Sequence, residues 1–406
     1  MHGKAEENYS LGIRRNTLVT KIKGGTVVTD GTTFAADVYI RDGKILAVTS
    51  ENLPCDEEIS AHGLYVSPAF IDIHIHGAHD SDFLDSTAEA FKTVAKAAAE
   101  HGAGTIVPTV TSSGLDSVLS CIRAFESVIE EGYEGANMPG LHLEGPYFSP
   151  NQSGAQSKDK IHGFCREEYM KILDSTDSII RWSAAPELDG GASQFAKELN
   201  KRGILASIGH SDADSTLVKR AFDVGFTHVT HLYSCTSSVH RIGAHRHAGV
   251  VEAAYLIDDM TVEIIADGVH LPPDLLRFVY KFKGADRIAL VTDSMRGAGM
   301  PDGPSMLGER VGGLPVVIER GCAYLPDKTA FAGSVSFTDR LVRNMVTLAD
   351  VPLSDAVKMA TCTPARIMGF YKKGSLSEGF DADIVIFDEN IKVHRTVVGG
   401  KTAYKI

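Results

Sequence analysis

Two histidines one residue apart, His74 and His76, end an apolar stretch that reads SPAFIDIHIHG from Ser67 to Gly77. Side chains two residues apart in an extended strand point to the same face, so both imidazoles are expected to face one point. Two neutral imidazoles that converge in this way suit a divalent transition metal. A His-x-His pair is common, however, and two histidines hydrogen-bonded in a core would give the same pattern.

Five later apolar segments also end in residues that bind metals. The terminal groups of these segments are His142 with Glu144, His210, His231, Asp267 with His270, and Asp293. Buried His, Asp and Glu side chains are costly unless they are paired or bound to a metal. Such groups at six strand ends therefore favour a metal site over ordinary core packing.

The types of donor indicate which ion would fit. Four imidazoles and two carboxylates match Zn²⁺ or Fe²⁺, whereas Mg²⁺ would prefer oxygen ligands alone. The sequence leaves open whether one ion or two is bound. A metal of this class lowers the pKa of water toward neutrality, and Asp293 is placed to accept that proton and pass it to a leaving group. The ligand sets would be Glu144, His210 and His231 for one ion, and His74, His76 and Asp293, with Glu144 bridging, for a second.

The spacing of these segments predicts an α/β fold, a (β/α)8 TIM barrel, rather than an open doubly wound sheet. Such a barrel builds its active site at the carboxyl ends of its strands, where the candidate ligands lie. Helical periodicity is found at 86–102, 115–132, 193–203 and 215–225. The eight apolar strand candidates are residues 69–76, 104–110, 139–144, 180–186, 204–209, 227–233, 261–267 and 287–293.

Short β-like segments flank the barrel at both ends of the chain. Residues 1–66 contain VVTDGTTF and IRDGKI, which predict hairpins with Asp-Gly turns. Residues 374–406 return to short strands, and chain ends often lie close together in a domain. We expect the two segments to form one small composite β-sandwich domain, with the barrel of residues 67–373 inserted between its parts.

The overall composition is that of an ordinary globular protein, since 43% of the 406 residues are hydrophobic and 23% are charged. A net charge of -12 argues against a nucleic-acid-binding surface. The six cysteines form no CxxC pair, and neither a signal-peptide core nor an apolar run of roughly 18 residues is present. We therefore expect a cytoplasmic protein with reduced thiols and no membrane contact.

The ordered motifs PAFIDIHIHG, GLHLEGPY, IGHSDA, THLY, IIADGVH, VTDSM and FAGS resemble the metal-dependent amidohydrolases, specifically the N-acetylglucosamine-6-phosphate deacetylase family. The similarity covers nearly the whole chain. It implies hydrolysis of N-acetylglucosamine 6-phosphate to glucosamine 6-phosphate and acetate in amino-sugar breakdown. The implied metal ligands are Glu144, His210 and His231, while His74 and His76 match a first metal motif that some members lack.

The resemblance also implies roles for residues around the metal. Asp293 matches the catalytic acid/base, and His270 matches a histidine at the acetyl carbonyl, which would stabilise the oxyanion. Arg246 matches an arginine that binds the sugar phosphate across a subunit interface, which implies a homodimer. The remaining expected substrate contacts are Ala155, Gln156, Ser234, Cys235, Asp267, Phe331, Ala332 and Gly333.

Two departures concern the phosphate. The family usually has Asn-Ala after THLY, where this chain has Ser234-Cys235, and the following loop TSSVHRIGAHRHAG is longer and more basic. Its Arg241, His245 and His247 are either additional phosphate ligands or part of a solvated surface loop. A third departure is Gln156, which stands where other members carry His.

Other functions remain as alternatives at this point. A sister deacetylase could act on N-acetylgalactosamine 6-phosphate or another N-acyl amino sugar. A deaminase or cyclic amidase could use the same barrel, but the LHLEGP motif and the absence of a lysine from the end of strand four, RWSAAPE, argue against it. A non-catalytic sugar-phosphate-binding protein would not need Asp293 beside a complete ligand set.

Overall fold

A sheet of eight parallel strands forms the centre of the protein, whose computed structural model describes residues 18–188 and 191–406. Each strand pairs with the next one along the chain, as the sequence predicts for a barrel. The strands are β1 (Phe70–Ile75), β2 (Ala103–Val110), β3 (Leu141–Glu144), β4 (Ile179–Ala184), β5 (Leu205–Ile208), β6 (Phe226–Val229), β7 (Thr261–Ile265) and β8 (Ile288–Val291).

The sheet closes where β8 meets β1. The backbone N–H of Asp293 donates to the carbonyl of His74 at 2.8 Å, just beyond the last residue of β8. The buried carboxylate of Asp72 accepts from the backbone N–H of Thr292 at 3.2 Å and from its hydroxyl at 2.5 Å. The predicted barrel is therefore confirmed, and its seam lies between two of the candidate ligand segments.

Ten α-helices cover the barrel within the described residues, and the four predicted helical stretches all form. The helix α1 starts after Thr87, whose hydroxyl accepts from the N–H of Ala90 at 3.2 Å, and it buries an Ala, Phe and Val face. The helices are α1 (Ala88–Glu100), α2 (Leu115–Glu131), α3 (Arg166–Leu173), α4 (Ala192–Lys201), α5 (Ser215–Asp223), α6 (Val250–Leu256), α7 (Pro273–Lys283), α8 (Thr338–Thr347), α9 (Leu353–Ala360) and α10 (Cys362–Ile367).

Several barrel strands end earlier than the sequence pattern predicts. The predicted strands 227–233 and 287–293 extend past the observed ends of β6 and β8. The reason is the backbone at the candidate ligands, which leaves the extended region. Three of them have positive φ angles, 47° at His210, 28° at His231 and 45° at Asp293. Non-glycine residues rarely adopt this conformation, and it is concentrated at functional sites.

Both ends of the chain build the small β domain. Tyr65–Pro68 pairs in parallel with Thr26–Thr29 and antiparallel with Ile384–Phe387, so one sheet contains strands from both the 1–66 and the 374–406 segments, as expected. Both Asp-Gly hairpins form as predicted. The domain limits at 66/67 and 373/374 stay a prediction. The six-stranded sheet has the order Lys401–Lys405, Val393–Val398, Ile384–Phe387, Tyr65–Pro68, Thr26–Thr29, Thr32–Ala35, and the four-stranded sheet Lys44–Thr49, Asp37–Arg41, Val19–Lys23, Glu57–Ser60.

Two insertions in the barrel were not predicted. The basic loop after β6 contains a small hairpin of His240–Ile242 and His245–His247. An antiparallel four-stranded sheet follows β8, and Arg296 holds it by donating to the carboxylate of Asp85 at 2.8 Å and to the carbonyl of Gly308 at 2.6 Å. The strands of this sheet are Gly303–Leu307, Leu314–Glu319, Cys322–Tyr324 and Phe331–Ser334.

Two short 3-10 helices, Phe83–Asp85 and Pro150–Gln152, and a two-stranded pair, Gly77–Ala78 with Ser81–Asp82, complete the secondary structure of the described residues. None of the helices in this part of the chain is long and apolar enough to cross a membrane.

The composite sheet gives a test of how the C-terminal segment contributes to stability. Ile384 is fully buried between the two chain ends, so Ile384→Ala leaves a cavity and is expected to lower the free energy of unfolding by about 2–5 kcal/mol. Denaturant titration followed by circular dichroism measures this. The control Val311→Ala, at a side chain 87% exposed, should change it by less than about 0.5 kcal/mol. Equal effects of the two substitutions would contradict the packing assigned to the tail.

Candidate metal centre

Six polar side chains meet at the carboxyl ends of the barrel strands. His74 lies in β1 and Glu144 is the last residue of β3, while the other four follow the ends of their strands. All six residues are buried. The geometry forms two groups of three potential ligand atoms, each within 4.8 Å of one another. These groups are His74, His76 and Asp293, and Glu144, His210 and His231.

The Nδ1 atom of each of the four histidines contacts an oxygen atom that orients the imidazole ring. Three of the Nδ1 atoms lie against backbone carbonyls, and the fourth, that of His74, lies 2.6 Å from a carboxylate oxygen of Glu263. An Nδ1–H that donates in this way leaves the Nε2 lone pair free to bind a cation. The backbone contacts are His76 to Thr109 at 3.1 Å, His210 to Gln152 at 2.8 Å and His231 to Ser234 at 3.0 Å.

The inner Nε2 atoms face two carboxylates. Glu144 Oε1 lies 3.0 Å from His231 Nε2 and 3.3 Å from His210 Nε2, and its contact with His74 Nε2 is 3.5 Å. Asp293 Oδ1 lies 3.1 Å from the Nε2 atom of His76. The glutamate therefore stands between the two groups, as the sequence interpretation expected of a bridging residue, although its role as a ligand stays a prediction.

The donor set fits a divalent cation. The Nε2 atoms of His74 and His76 lie 3.2 Å apart, and two lone pairs at that distance repel unless a positive charge lies between them. Nitrogen and carboxylate donors in this number are typical of zinc or non-haem iron sites. The resemblance found in the sequence and this geometry both indicate a metal-binding centre.

The charges of these groups depend on one another. Burial raises the pKa of Glu144, but the charge of His74 and the hydrogen bonds from His210 and His231 outweigh it and hold the pKa well below its usual range. Burial lowers the pKa of His76, yet the nearby carboxylates, chiefly Asp293, raise it to about 9. Protons on the imidazoles and a bound cation are thus alternative sources of the positive charge that the two carboxylates require.

His270 forms a third cluster beside the first two. Its Nδ1 donates to Asp267 Oδ2 at 2.7 Å, and the sulfur of Cys322 lies 3.8 Å from the same nitrogen. Burial lowers the pKa of His270, but the bonds to Asp267 and Cys322 raise it to about 10. The imidazole is therefore charged at neutral pH, and its second N–H remains available to a substrate oxygen.

A pocket of about 240 Å³ lies over the metal centre. Of the expected substrate contacts, the buried Asp267 and Ala332 and the exposed Arg246 of the hairpin do not line this pocket. Four further residues that were not expected from the sequence also line the pocket, namely Thr111, Tyr233, Leu307 and Ala330. The expected residues that line the pocket are His76, Glu144, Ala155, Gln156, His210, His231, Ser234, Cys235, His270, Asp293, Phe331 and Gly333.

Gln156 contacts a candidate ligand directly. Its Nε2 donates to Glu144 Oε2 at 2.8 Å, while its Oε1 accepts from the backbone N–H of Ser112 at 3.0 Å. The amide therefore fixes the rotation of the Glu144 carboxylate as well as lining the pocket.

His142, by contrast, bonds to Ser183 Oγ at 2.7 Å within the barrel, and burial lowers its pKa, so it belongs to the core.

Two further functional candidates were missed from the sequence. Glu263 and Arg181 are fully buried beneath the ligands, and Arg181 Nη1 lies 2.6 Å from Glu263 Oε2. The sequence contains a signal for this ion pair. Each residue is a charged side chain inside a predicted apolar strand, and the two charges are opposite. Glu263 is four residues before Asp267 in the predicted strand 261–267. Both side chains are therefore expected on the same side of the strand, facing the barrel interior.

Comparisons with known proteins agree with this geometry. Residues 65–403 match the model described as "Amidohydrolase family". The N-acetylglucosamine-6-phosphate deacetylase of Lysinibacillus sphaericus is 33% identical over 367 residues, which cover 90% of this chain and 92% of that protein. The N-acetylgalactosamine-6-phosphate deacetylase of Escherichia coli O157:H7 is 31% identical, with 90% of this chain and 93% of that protein covered.

A solved structure is similar over almost the whole chain. It is that of a mutant N-acetyl-D-glucosamine-6-phosphate deacetylase from Mycobacterium smegmatis in complex with N-acetyl-D-glucosamine-6-phosphate. The similarity has a TM-score of 0.86 at 27% identity and covers 96% of this chain and 100% of the other.

The His270 cluster predicts a pH dependence. Because the pKa of about 10 exceeds the unfolded value of about 6.5, the Asp267 pair stabilises the fold fully below pH 6.5 and loses this effect as pH rises through about 10. Asp267→Asn should lower the pKa of His270 by more than about one unit, as measured by NMR titration. Asp388→Asn, beside His394, is the control and should leave it unchanged. If the titration midpoint of His270 is unchanged in Asp267→Asn, Asp267 is not the cause of the raised pKa.

Proposed function

The chain belongs to the amidohydrolase family, and on that premise we propose that it hydrolyses N-acetylglucosamine 6-phosphate to glucosamine 6-phosphate and acetate. The observation that supports this most directly is the pairing of two three-donor groups through Glu144 at the base of a pocket. Asp293 and His270 line the same pocket. The relatives named above are deacetylases of phosphorylated amino sugars, and the solved structure contains one of these sugars.

The residues of the pocket divide the reaction among them. A divalent cation held by the donor groups would activate a water molecule and polarise the acetyl carbonyl. Asp293 accepts the proton of the attacking water and delivers it to the amide nitrogen as the C–N bond breaks. His270, charged and held by Asp267, donates an N–H to the oxyanion that develops on the carbonyl.

We propose Zn²⁺ or Fe²⁺ as the ion, with one ion in each donor group. Both groups contain three nitrogen or carboxylate donors, so neither lacks a residue that the other possesses. The imidazole-rich set favours these metals over Mg²⁺. Glu144, whose carboxylate is fixed by Gln156 and lies 3.5 Å from His74 Nε2, would be a donor shared by the two groups.

The phosphate group would be bound most strongly by Lys or Arg side chains. Among the described residues, none that lines the pocket is Lys or Arg. The nearby hairpin presents Arg241 directly opposite Arg246, so the two guanidinium groups share one face. Like charges opposite each other destabilise a hairpin, and a bound anion would relieve this repulsion. We propose that both arginines bind the phosphate in the pocket of a second copy.

Exposed apolar side chains support a homodimer. Ile242 of the hairpin is 60% exposed, Leu256 at the end of α6 is 66% exposed and Phe282 of α7 is 58% exposed. Large exposed apolar side chains are frequent at protein interfaces. A second copy that covers the hairpin would bury Ile242 and bring its own hairpin toward the pocket. The alternative remains a solvated hairpin, with Arg241, His245 and His247 unbound.

A cytoplasmic location is part of the same proposal. It is supported by six cysteines that are all free in the structure. The nearest rival substrate is N-acetylgalactosamine 6-phosphate, since a relative of similar identity carries that name.

Acetate release tests the activity. Zn²⁺- or Fe²⁺-loaded protein should release acetate from N-acetylglucosamine 6-phosphate with a higher kcat/KM than from the galactosamine isomer. Asp293→Asn should keep the fold but reduce kcat by about 10³-fold or more, because it removes the group that transfers the proton. A higher kcat/KM for the galactosamine isomer would favour the rival, and no acetate from either sugar would refute a deacetylase.

The hairpin is tested by comparing sugars with and without phosphate. Arg246→Ala should raise KM for the phosphorylated sugar at least about tenfold, the effect of losing a charge-assisted contact, with little change for N-acetylglucosamine. Arg241→Ala should act in the same direction. The control Arg123→Ala, on the exposed face of α2, should change neither value. Similar effects on both sugars would remove the phosphate role.

A further inference from the structure

The barrel interior beneath the metal centre contains a charged layer, of which only the contact of Glu263 with His74 has been assigned a role above. Glu263 and Arg181 have no exposed side-chain surface and form an ion pair at 2.6 Å. A buried ion pair is rarely the most stable filling for a core, because desolvation offsets much of the attraction. Its position directly below the ligands therefore calls for a functional explanation.

Glu263 contacts both donor groups with a single oxygen. Its Oε1 accepts from His74 Nδ1 at 2.6 Å and from the backbone N–H of His231 at 3.1 Å. Among the four candidate imidazole ligands, His74 alone has a carboxylate at its Nδ1, since the others face carbonyls. A carboxylate in this position fixes the tautomer of a histidine and increases the basicity of its other nitrogen.

Arg181 holds the carboxylate in place. Besides its bond to Glu263, its Nη1 donates to the carbonyl of Ile73 at 3.0 Å, and its Nη2 donates to Thr230 Oγ1 at 3.0 Å. These two partners precede His74 and His231 in the chain. One guanidinium therefore supports Glu263 and the backbone beside a ligand of each donor group.

We propose that Glu263, held by Arg181, is a positioning residue that presents His74 Nε2 as a metal ligand and couples the two donor groups. The inference rests on the metal centre proposed above. It assigns Glu263 no contact with substrate, and its main effect falls on the group of His74, His76 and Asp293. The group of Glu144, His210 and His231 contacts Glu263 only through the backbone N–H of His231. Its affinity for an ion should therefore change less.

Metal binding by Glu263→Gln tests this without any substrate. The amide cannot accept from His74 and from Arg181 at once, so one of the two contacts must be lost. In calorimetric titration of metal-free protein with Zn²⁺, the affinity of one ion should fall about 10–100-fold. The other ion should be bound with an affinity within about threefold of the original. The same titration of His76→Ala should lose the binding step of the ion held by His74, His76 and Asp293. That step is the one expected to weaken in Glu263→Gln.

The matched control is Asp383→Asn, which removes a buried carboxylate paired with Lys373 in the β domain. It should lower stability and leave both Zn²⁺ affinities unchanged. Should Glu263→Gln yield no folded protein, Glu263→Asp keeps the charge beside Arg181 but withdraws the oxygen from His74, and the same selective loss is expected.

The outcomes separate this inference from the proposed function. Unchanged Zn²⁺ affinities in a folded Glu263 variant would overturn the inference while leaving the deacetylase proposal intact. Equal weakening of both ions would indicate a general structural role and would also overturn it. If the original chain binds a single ion and His76→Ala abolishes it, the loss of about 10–100-fold is expected for that ion, whereas a single ion that His76→Ala leaves intact would overturn the inference. A chain that binds no Zn²⁺ would refute the metal centre itself.

Discussion

The electrostatics of the strand ends constrain the whole structure. Six ionisable side chains form two adjacent buried groups, in each of which three potential ligand atoms lie within 4.8 Å of one another, and neither four neutral imidazoles nor two bare carboxylates are stable there alone. Positive charge must be present, as protons on residues such as His76 or as a bound cation. The carbonyl partners of the imidazoles, the amide of Gln156 and the pair of Glu263 with Arg181 all serve to fix donors that would otherwise turn away from one another.

The barrel and its ligand-bearing ends follow from patterns that the sequence displays openly. The apolar runs that lead to His74, Glu144 and Asp293 have the length and spacing of parallel strands, and the Asp-Gly turns identify both terminal hairpins. These features depend on local periodicity and on a topology that places every strand end at one edge. For this reason the sequence alone predicts that the candidate ligands meet at one edge of the barrel.

Other features depend on contacts between distant segments or on backbone conformation. The left-handed turns at His210 and His231 shorten the strands, and no periodicity reveals a positive φ angle at a histidine. The four-stranded sheet after β8 was missed because its strands are short and interrupted by glycines. The partner of Glu263 is Arg181, 82 residues away, and their contact becomes apparent only once β4 and β7 are placed in the barrel.

The sheet shared by the two chain ends has a consequence for how the protein is made. Tyr65–Pro68 runs directly into β1, but one of its neighbours, Ile384–Phe387, lies more than three hundred residues later in the chain. On the ribosome Tyr65–Pro68 therefore stays uncovered along one edge until those residues have been added. Nascent chains at this stage would need protection from aggregation until Ile384–Phe387 emerges.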